Sequence, residues 1–421
     1  MVSNSHNSFC NKSKEVVLKG FKDILPETIE KWHFLEKTAV KIFTHLGYKE
    51  IRTPILEKTS VFERGVGDST DIVEKEMYTF LDKSGESVTL RPEGTAGIVR
   101  AFIENKLETS VFNKLYYIGP MFRYERPQKG RFRQFHQIGA ECFGIKNPAI
   151  DAEIIYINTL LFEKLNIKTN LEINNIGCPN CRPQYSKALI SYFEHYKESL
   201  CIDCQKRLYK NPLRILDCKN EKCKIIARGA PKLKDYVCKD CKEHYTGVVE
   251  CLKALNIEFI ENELLVRGLD YYTSFVFEFV NNNLTLSAGG RYDNLIQDLG
   301  GNNICGVGFA LGEERIIDIL DIKPQNSIDI YIANLGVTLY ALKILQKLSD
   351  LQFKVYCEYE NKSLKSMLKK ADRLEAKVCI IIGENELKSS SCIVRDMKNS
   401  TQKTIELNQL ENTLKGVLYA T

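Results

Sequence analysis

Apolar positions recur at helical spacing just after Pro26: Ile29, Trp32, Phe34, Leu35, Val40, Ile42 and Phe43. Proline at the start and Gly47 beyond the end bound a predicted helix over 26–46. The period then changes. Strands are predicted over 48–52, 76–81, 87–90, 116–124 and 133–143. The turn Asp82-Lys83-Ser84-Gly85 makes a hairpin of the second and third. The connection 125–132 is polar and basic. Strand patterning resumes at 264–267, 275–280 and 304–310, and a helix over 311–320 follows. After Pro324 the pattern alternates. Short buried strands at 328–333, 353–357 and 378–382 are separated by helices at 337–349 and 363–375. That is a βαβαβ unit, which predicts a separate α/β domain with a mostly parallel sheet.

Composition interrupts this plan once. Of 15 cysteines, eight fall between Cys178 and Cys241. Residues 176–250 therefore read as an inserted module. The expected organisation is a β-rich domain in two parts, 1–175 and 251–324, the insertion 176–250 between them, and the α/β domain 325–421. A chain of 421 residues has room for such cores. Apolar content of 44% and charged content of 27% are ordinary for a globular protein. No apolar run approaches the ~18 residues of a membrane span. The first residues, MVSNSHNSFCNKSKEVV, show neither the apolar core of a secretory leader nor an Arg-rich transit pattern, so a cytoplasmic location is expected.

In that compartment thiols are favoured over disulfides. Cys178 and Cys181 with Cys201 and Cys204 form one set of CxxC units; Cys218 and Cys223 with Cys238 and Cys241 form a second set of four. Eight thiols at these spacings suit two structural zinc ions, each in a closed four-cysteine shell, with the pairing open between adjacent and interleaved. Reduced structural cysteines are the alternative. His244 is not counted as a ligand. Losing the metal is expected to loosen the insertion.

The net charge is +5. From Lys114 to Arg133 six bases and one acid are interleaved with Tyr116, Tyr117, Phe122, Tyr124 and Phe132, a mixture that suits phosphates and bases as well as a solvated loop. No P-loop pattern is present. The run from Gly306 to Gly312 departs by one residue from a dinucleotide loop and lacks its βαβ context, so close strand–helix packing is the expected reason for those glycines.

Separated motifs then point to one family. Gly-Tyr-Lys-Glu-Ile-Arg-Thr-Pro at 47–54, Gly-Pro-Met-Phe-Arg-Tyr-Glu-Arg-Pro with Arg-Phe-Arg-Gln-Phe-His-Gln inside 117–141, and Ala-Leu-Gly-Glu-Glu-Arg at 310–315 resemble motifs 1, 2 and 3 of the class II aminoacyl-tRNA synthetases. Leu-Arg-Pro-Glu-Gly-Thr at 90–95, Leu-Val-Arg-Gly-Leu-Asp-Tyr-Tyr at 265–272 and Ala-Gly-Gly-Arg-Tyr-Asp at 288–293 resemble the bacterial-type histidyl-tRNA synthetases in particular. The resemblance runs from about Lys19 to the end.

It implies an α+β catalytic domain on an antiparallel sheet, the class II synthetase fold, followed by an anticodon-binding α/β domain. It implies ATP, L-histidine and tRNA as substrates, Mg2+ with the ATP, and a homodimer formed through motif 1. Arg123 resembles the arginine that grips the α-phosphate, Arg315 the one on the γ-phosphate, and Arg267 the one set across the α-phosphate from the attacking carboxylate. Glu125 falls with the ATP-binding residues. Charge gathers as carboxylate meets phosphate, and guanidinium offers planar, permanently charged forks for it. For histidine, Glu93, Gly94 and Thr95 match the α-ammonium site, Gln137 the carboxylate donor, and Glu141, Tyr271 and Tyr272 the imidazole partners. Tyr271 and Tyr272 read without the resemblance as a core pair on a strand. Lys129, Arg131 and Arg133, with Gly130, match the loop that meets the acceptor end of tRNA. On this resemblance, losing the zinc is expected to weaken tRNA charging while histidine activation largely survives. Two rivals are a regulatory relative on the same fold and a plain RNA-binding module. The first usually lacks the catalytic arginine and the anticodon domain; the second has no need of ATP-binding arginines.

Overall fold

A computed structural model describes residues 16–67, 70–111, 113–322 and 328–418. The reading of the first residues as leaderless falls largely outside them, and so does the expected break at 324/325. The chain divides into two compact units, one built on Lys31–Ile322 and the other on the residues that follow.

The strands of the first unit are β1 (Lys49–Glu50), β2 (Leu56–Lys58), β3 (Tyr78–Leu81), β4 (Ser87–Leu90), β5 (Lys114–Phe122), β6 (Gln134–Phe143), β7 (Asn170–Asn175), β8 (Ile260–Glu261), β9 (Thr273–Asn281), β10 (Leu284–Arg291) and β11 (Gly306–Gly312). Eight of them form one sheet in the order β1-β5-β6-β11-β10-β9-β7-β8. Its interior pairings are antiparallel, and the short edge strands β1 and β8 pair in parallel. The strands β2, β4 and β3 make a small second sheet. Its hairpin turns where expected, because the Asp82 carboxylate accepts the backbone N–H of Ser84 and Glu86 at 2.8 and 2.9 Å.

Helices cover one face of the large sheet. The centre of β9 is apolar without alternation, and Phe275, Val276, Phe277 and Phe279 are all buried. The helix Ala149–Lys164 packs behind it, with Phe162 and Phe279 ring centroids 5.4 Å apart. The helix Pro26–His45 buries Trp32, Leu35, Ala39 and Phe43, and Phe43 stacks on Tyr116 at 4.8 Å. A residue of that size contributes about 1.5–3 kcal/mol on burial.

Several expectations need correction. Residues 264–267 are not a strand. Their backbone groups are taken by side chains: Asn262 accepts the N–H of Leu264 and Asn174 donates to the carbonyl of Leu265. The pair Tyr271-Tyr272 lies in the turn before β9, not on a strand. Two interior strands, β7 and β10, were not foreseen. Residues 176–250 do not stand as a module with a core of their own. Their helices Arg182–Glu194, Ile202–Lys210 and Glu221–Arg228 bury Leu189, Phe193, Leu208 and Ala227 in one cluster with Leu265, Tyr271, Tyr272 and Val276.

In the second unit, β12 (Ile330–Asn334), β13 (Val355–Cys357), β14 (Val378–Ile382), β15 (Ser391–Asp396) and β16 (Gln402–Glu406) form a sheet in the order β13-β12-β14-β15-β16. The three expected strands are parallel. An antiparallel hairpin, β15–β16, extends them, so the sheet is mixed rather than mostly parallel. Among the described residues no helix is long and apolar enough to cross a membrane.

Candidate active site

A cavity of about 360 Å³ opens on the face of the large sheet. Strands β6, β9, β10 and β11 form its floor. The turn before the helix Thr95–Glu104, the loop between β5 and β6, and the turn 267–272 form its walls. Arg123, Arg267 and Arg315 all face it, with Glu93, Thr95, Glu125, Arg131, Gln137, Tyr271 and Tyr272. Residues up to 222 positions apart in sequence (93 to 315) are thus gathered at one site.

Each arginine is held in place by its neighbours. Arg123 donates through Nε to the Pro92 carbonyl at 2.8 Å and lies over the Phe135 ring at 5.2 Å. Arg315 donates to the carbonyls of Thr285 and Gly130 at 2.6 and 3.3 Å. Arg267 pairs with Glu278, whose second oxygen accepts from Thr285 Oγ1 at 2.8 Å. Its Nε is buried, among the described residues, without a hydrogen-bond partner, and so is Gln137 Oε1. Orphaned polar atoms beside an open cavity ask for a polar ligand.

Opposite the cations lies an acidic, aromatic corner. Glu93 is 3% exposed and accepts the backbone N–H of Thr95 and Ala96 at 2.8 and 2.7 Å, so it also caps the helix that begins there. The Thr95 hydroxyl donates to Glu141 at 2.7 Å. Glu141 is fully buried behind the wall and receives a second hydroxyl from Tyr292. The rings of Tyr271 and Tyr272 stand 4.7 Å apart, and Tyr292 meets Tyr271 edge-on at 5.7 Å. Gly308 permits this arrangement, since an added Cβ would overlap the Glu141 carboxylate, and a Cβ at Gly306 would overlap the Tyr292 ring. Those glycines make room for site side chains across the strands, not for strand–helix packing.

Not every expected residue lines the cavity. Gly94 is buried beside it, Lys129 is exposed on the loop, and Arg133 stacks on Tyr124 at 3.7 Å. Gly130 adopts φ +70° in that loop, a conformation that favours glycine.

Burial pushes the Glu141 carboxyl up to about 8, and the nearby Glu93 charge adds to this against the two hydroxyl bonds. At neutral pH the folded chain keeps a proton there that an unfolded glutamate, near pKa ~4.3, has released. Native chains then bind more protons than unfolded ones. Stability from this group is full below ~4.3 and is lost as pH rises through the folded value. Glu141→Gln removes that dependence. Its melting temperature relative to the parent is expected to climb between about pH 5 and pH 8. A difference that stays flat over that range contradicts a neutral Glu141.

A family model described as histidyl-tRNA synthetase matches residues 20–178 and 216–316, the segments that carry every wall of this cavity. The chain belongs to the histidyl-tRNA synthetase family. A second model, described as an anticodon binding domain, matches residues 329–416. The histidine–tRNA ligase of Thermodesulfovibrio yellowstonii is 48% identical over 409 residues, covering 94% of this chain and 97% of that one. That of Halothermothrix orenii is 48% identical over 406 residues, covering 93% and 97%. The crystal structure of apo histidyl-tRNA synthetase from S. aureus matches with a TM-score of 0.79 at 37% identity, covering 95% of this chain and 100% of that one. The fold is that of the class II synthetases, with a separate anticodon-binding α/β domain.

In this member of the family the eight cysteines gather in two groups. Cys178, Cys181, Cys238 and Cys241 form one, and Cys201, Cys204, Cys218 and Cys223 the other, the sulfurs of each all within 4.8 Å. The groups are nested along the chain, so of the pairings left open above the sequence-ordered one does not form. Sulfur separations of 3.5, 3.9 and 4.0 Å in the outer group and 3.8 Å in the inner exceed a disulfide bond. They match the ~3.8 Å edge of a tetrahedron with ~2.3 Å zinc–sulfur bonds. Backbone N–H groups of Cys238 and Cys201 point at Cys181 and Cys223 sulfurs at 3.1 and 3.3 Å. His244 sits apart, bonded to Asp151 at 3.1 Å beside Arg291.

Residues that sequence reasoning did not single out complete the site. Tyr292 supports Glu141, Glu278 holds Arg267, and Asp151 anchors Arg291 through bonds of 3.0–3.1 Å beneath the sheet. Tyr292 and Arg291 stood inside a quoted motif. Nothing local marked Glu278 or Asp151.

Proposed function

We propose that this chain is a cytoplasmic histidine–tRNA ligase, acting as a homodimer. It activates L-histidine with Mg2+-ATP, the metal arriving as part of the substrate, and transfers the histidyl group to the 3′ end of tRNA. The observation that carries this reading is the meeting of three arginines with an acidic, aromatic corner in one cavity. The histidine carboxylate attacks the α-phosphorus, a P–O bond forms, and diphosphate leaves. Arg123 and Arg267 flank the α-phosphate, where negative oxygens crowd, and Arg315 with Glu125 holds the rest of the nucleotide. Preorganised guanidinium groups stabilise that charge without moving.

Histidine is placed by Glu93 and Thr95 at its ammonium and by Gln137 at its carboxylate. Tyr271 and Tyr272 face the imidazole, with Glu141 behind them. A pocket of buried polar groups rejects side chains that leave those groups unpaired. Arg131, Lys129 and Arg133 meet the acceptor end of tRNA, and the second unit meets the anticodon. The two cysteine groups each hold a structural zinc. Four thiolates close its coordination sphere, so it supplies folding energy and no chemistry. The rival regulatory reading is disfavoured by the presence of all three arginines and a second unit.

The direct test is charging. With ATP and unfractionated tRNA, the protein is expected to attach labelled histidine and none of the other amino acids. Failure to charge with histidine under conditions that support another amino acid overturns the proposal.

A further inference from the structure

The turn 267–272 carries Arg267 at one end and the tyrosine pair at the other, yet it has no strand ladder to hold it. Two arginines of the insertion hold it instead. Arg182 spans its far end, donating to the carbonyl of Asp270 at 3.4 Å and to that of Tyr272. Arg214 donates through Nη1 to the carbonyl of Arg267 at 3.0 Å and pairs with Asp71 at 3.7 Å. Between them the Asn211 amide donates to the Asp270 carboxylate at 3.1 Å. A charged donor on a buried carbonyl makes a stronger bond than a neutral one.

Each arginine is fixed to a different cysteine group. Arg182 follows Cys181 directly and donates its backbone N–H to the Cys178 carbonyl at 3.2 Å. Arg214 lies in the short turn Pro212–Ile215, whose end is tied by the Cys218 N–H to the Ile215 carbonyl at 3.2 Å. Asp217 and Lys219, on either side of Cys218, reach the cavity wall itself. Both arginines fall between the two segments that the family model matches.

We infer that Arg182 and Arg214 are positioning residues for histidine activation: a two-point clamp, anchored on the cysteine groups, that sets the place of Arg267 and the tyrosine pair. The insertion is thus part of the activation machinery. The inference rests on the proposed role of Arg267 in adenylate formation.

The experiment is a double-mutant cycle read by ATP–pyrophosphate exchange. Arg214→Met and Arg182→Met keep the apolar stems and remove the donors. Each is expected to lower kcat by ~10²-fold, the scale for misplacing a catalytic group by about 1 Å. KM for ATP is expected to stay within about threefold, since its ground-state contacts remain. In an Arg267→Ala background, Arg214→Met should cost less than about threefold more, because its effect runs through Arg267. Exchange by Arg214→Met within about threefold of the parent, or an equal loss in both backgrounds, overturns the clamp. If Arg182→Met fails to fold, Arg214→Met carries the test, with melting temperature and metal content measured alongside. Normal exchange by Arg267→Ala would sink the reading beneath the clamp as well, and is told apart by the single variant.

Discussion

Replacing Arg267 with alanine is expected to slow histidyl-adenylate formation by about 10²–10³-fold while the chain still folds. The guanidinium is held by Glu278, lies over the Tyr272 ring at 5.5 Å and keeps a free Nε beside the cavity. Its loss removes a charge already in place when oxygens crowd at the α-phosphate. It also leaves Glu278 with the Thr285 hydroxyl alone, at a stability cost of about 1–3 kcal/mol. Lysine separates the two effects. Arg267→Lys is expected to restore the pairing and the melting temperature but not the rate, because a point charge does not reproduce the planar fork. Single-turnover formation of adenylate with saturating histidine is the measurement. Near-normal rates in Arg267→Ala contradict a catalytic role and leave a structural one.

Stripping the metal is expected to have the other large effect. The protein purified without added metal should carry about two zinc ions, one for each group of four thiols. Apparent binding energies for four-ligand zinc sites are about 10–16 kcal/mol, as large as the whole stability of a typical domain. Without the ions, buried thiols are left at sulfur separations of 3.5–4.0 Å with no bond between them. The insertion is therefore expected to come apart. Sequence alone suggested that histidine activation would survive this. The packing argues otherwise, because Leu189, Leu208 and Ile215 share one core with Tyr271, Tyr272 and Val276. Chelation should abolish tRNA charging and pyrophosphate exchange together, and zinc should restore both. Protein holding less than about half an equivalent, with its insertion folded and exchange intact, contradicts the zinc reading.

What was legible in the sequence divides along a physical line. The helix Pro26–His45, the hairpin and the β5–β6 pair announced themselves because periodicity, capping and turn residues agree there. The three arginines and the acidic, aromatic corner of the cavity were legible because their motifs are contiguous. Strand β10 was not, since its Gly289 and Gly290 remove the apolar signal. Those glycines serve close approach: a Cβ on Gly289 would overlap the carbonyl of Gly308. Residues 264–267 carried a short apolar run that is the same for a strand and a buried turn, and asparagine side chains decided between them. Cysteine spacing marks thiols that share a turn but not which turns meet, so the nesting was unreadable. Arg182 and Arg214 looked like any surface arginine, because their partners are main-chain carbonyls 53 to 90 residues away.

The cavity is proposed to select histidine and join it to the AMP part of ATP. ATP–pyrophosphate exchange, run with each amino acid in turn and no tRNA present, tests it most directly. Exchange with histidine and with no other amino acid is the predicted result. Exchange with a different amino acid, and none with histidine, would contradict it.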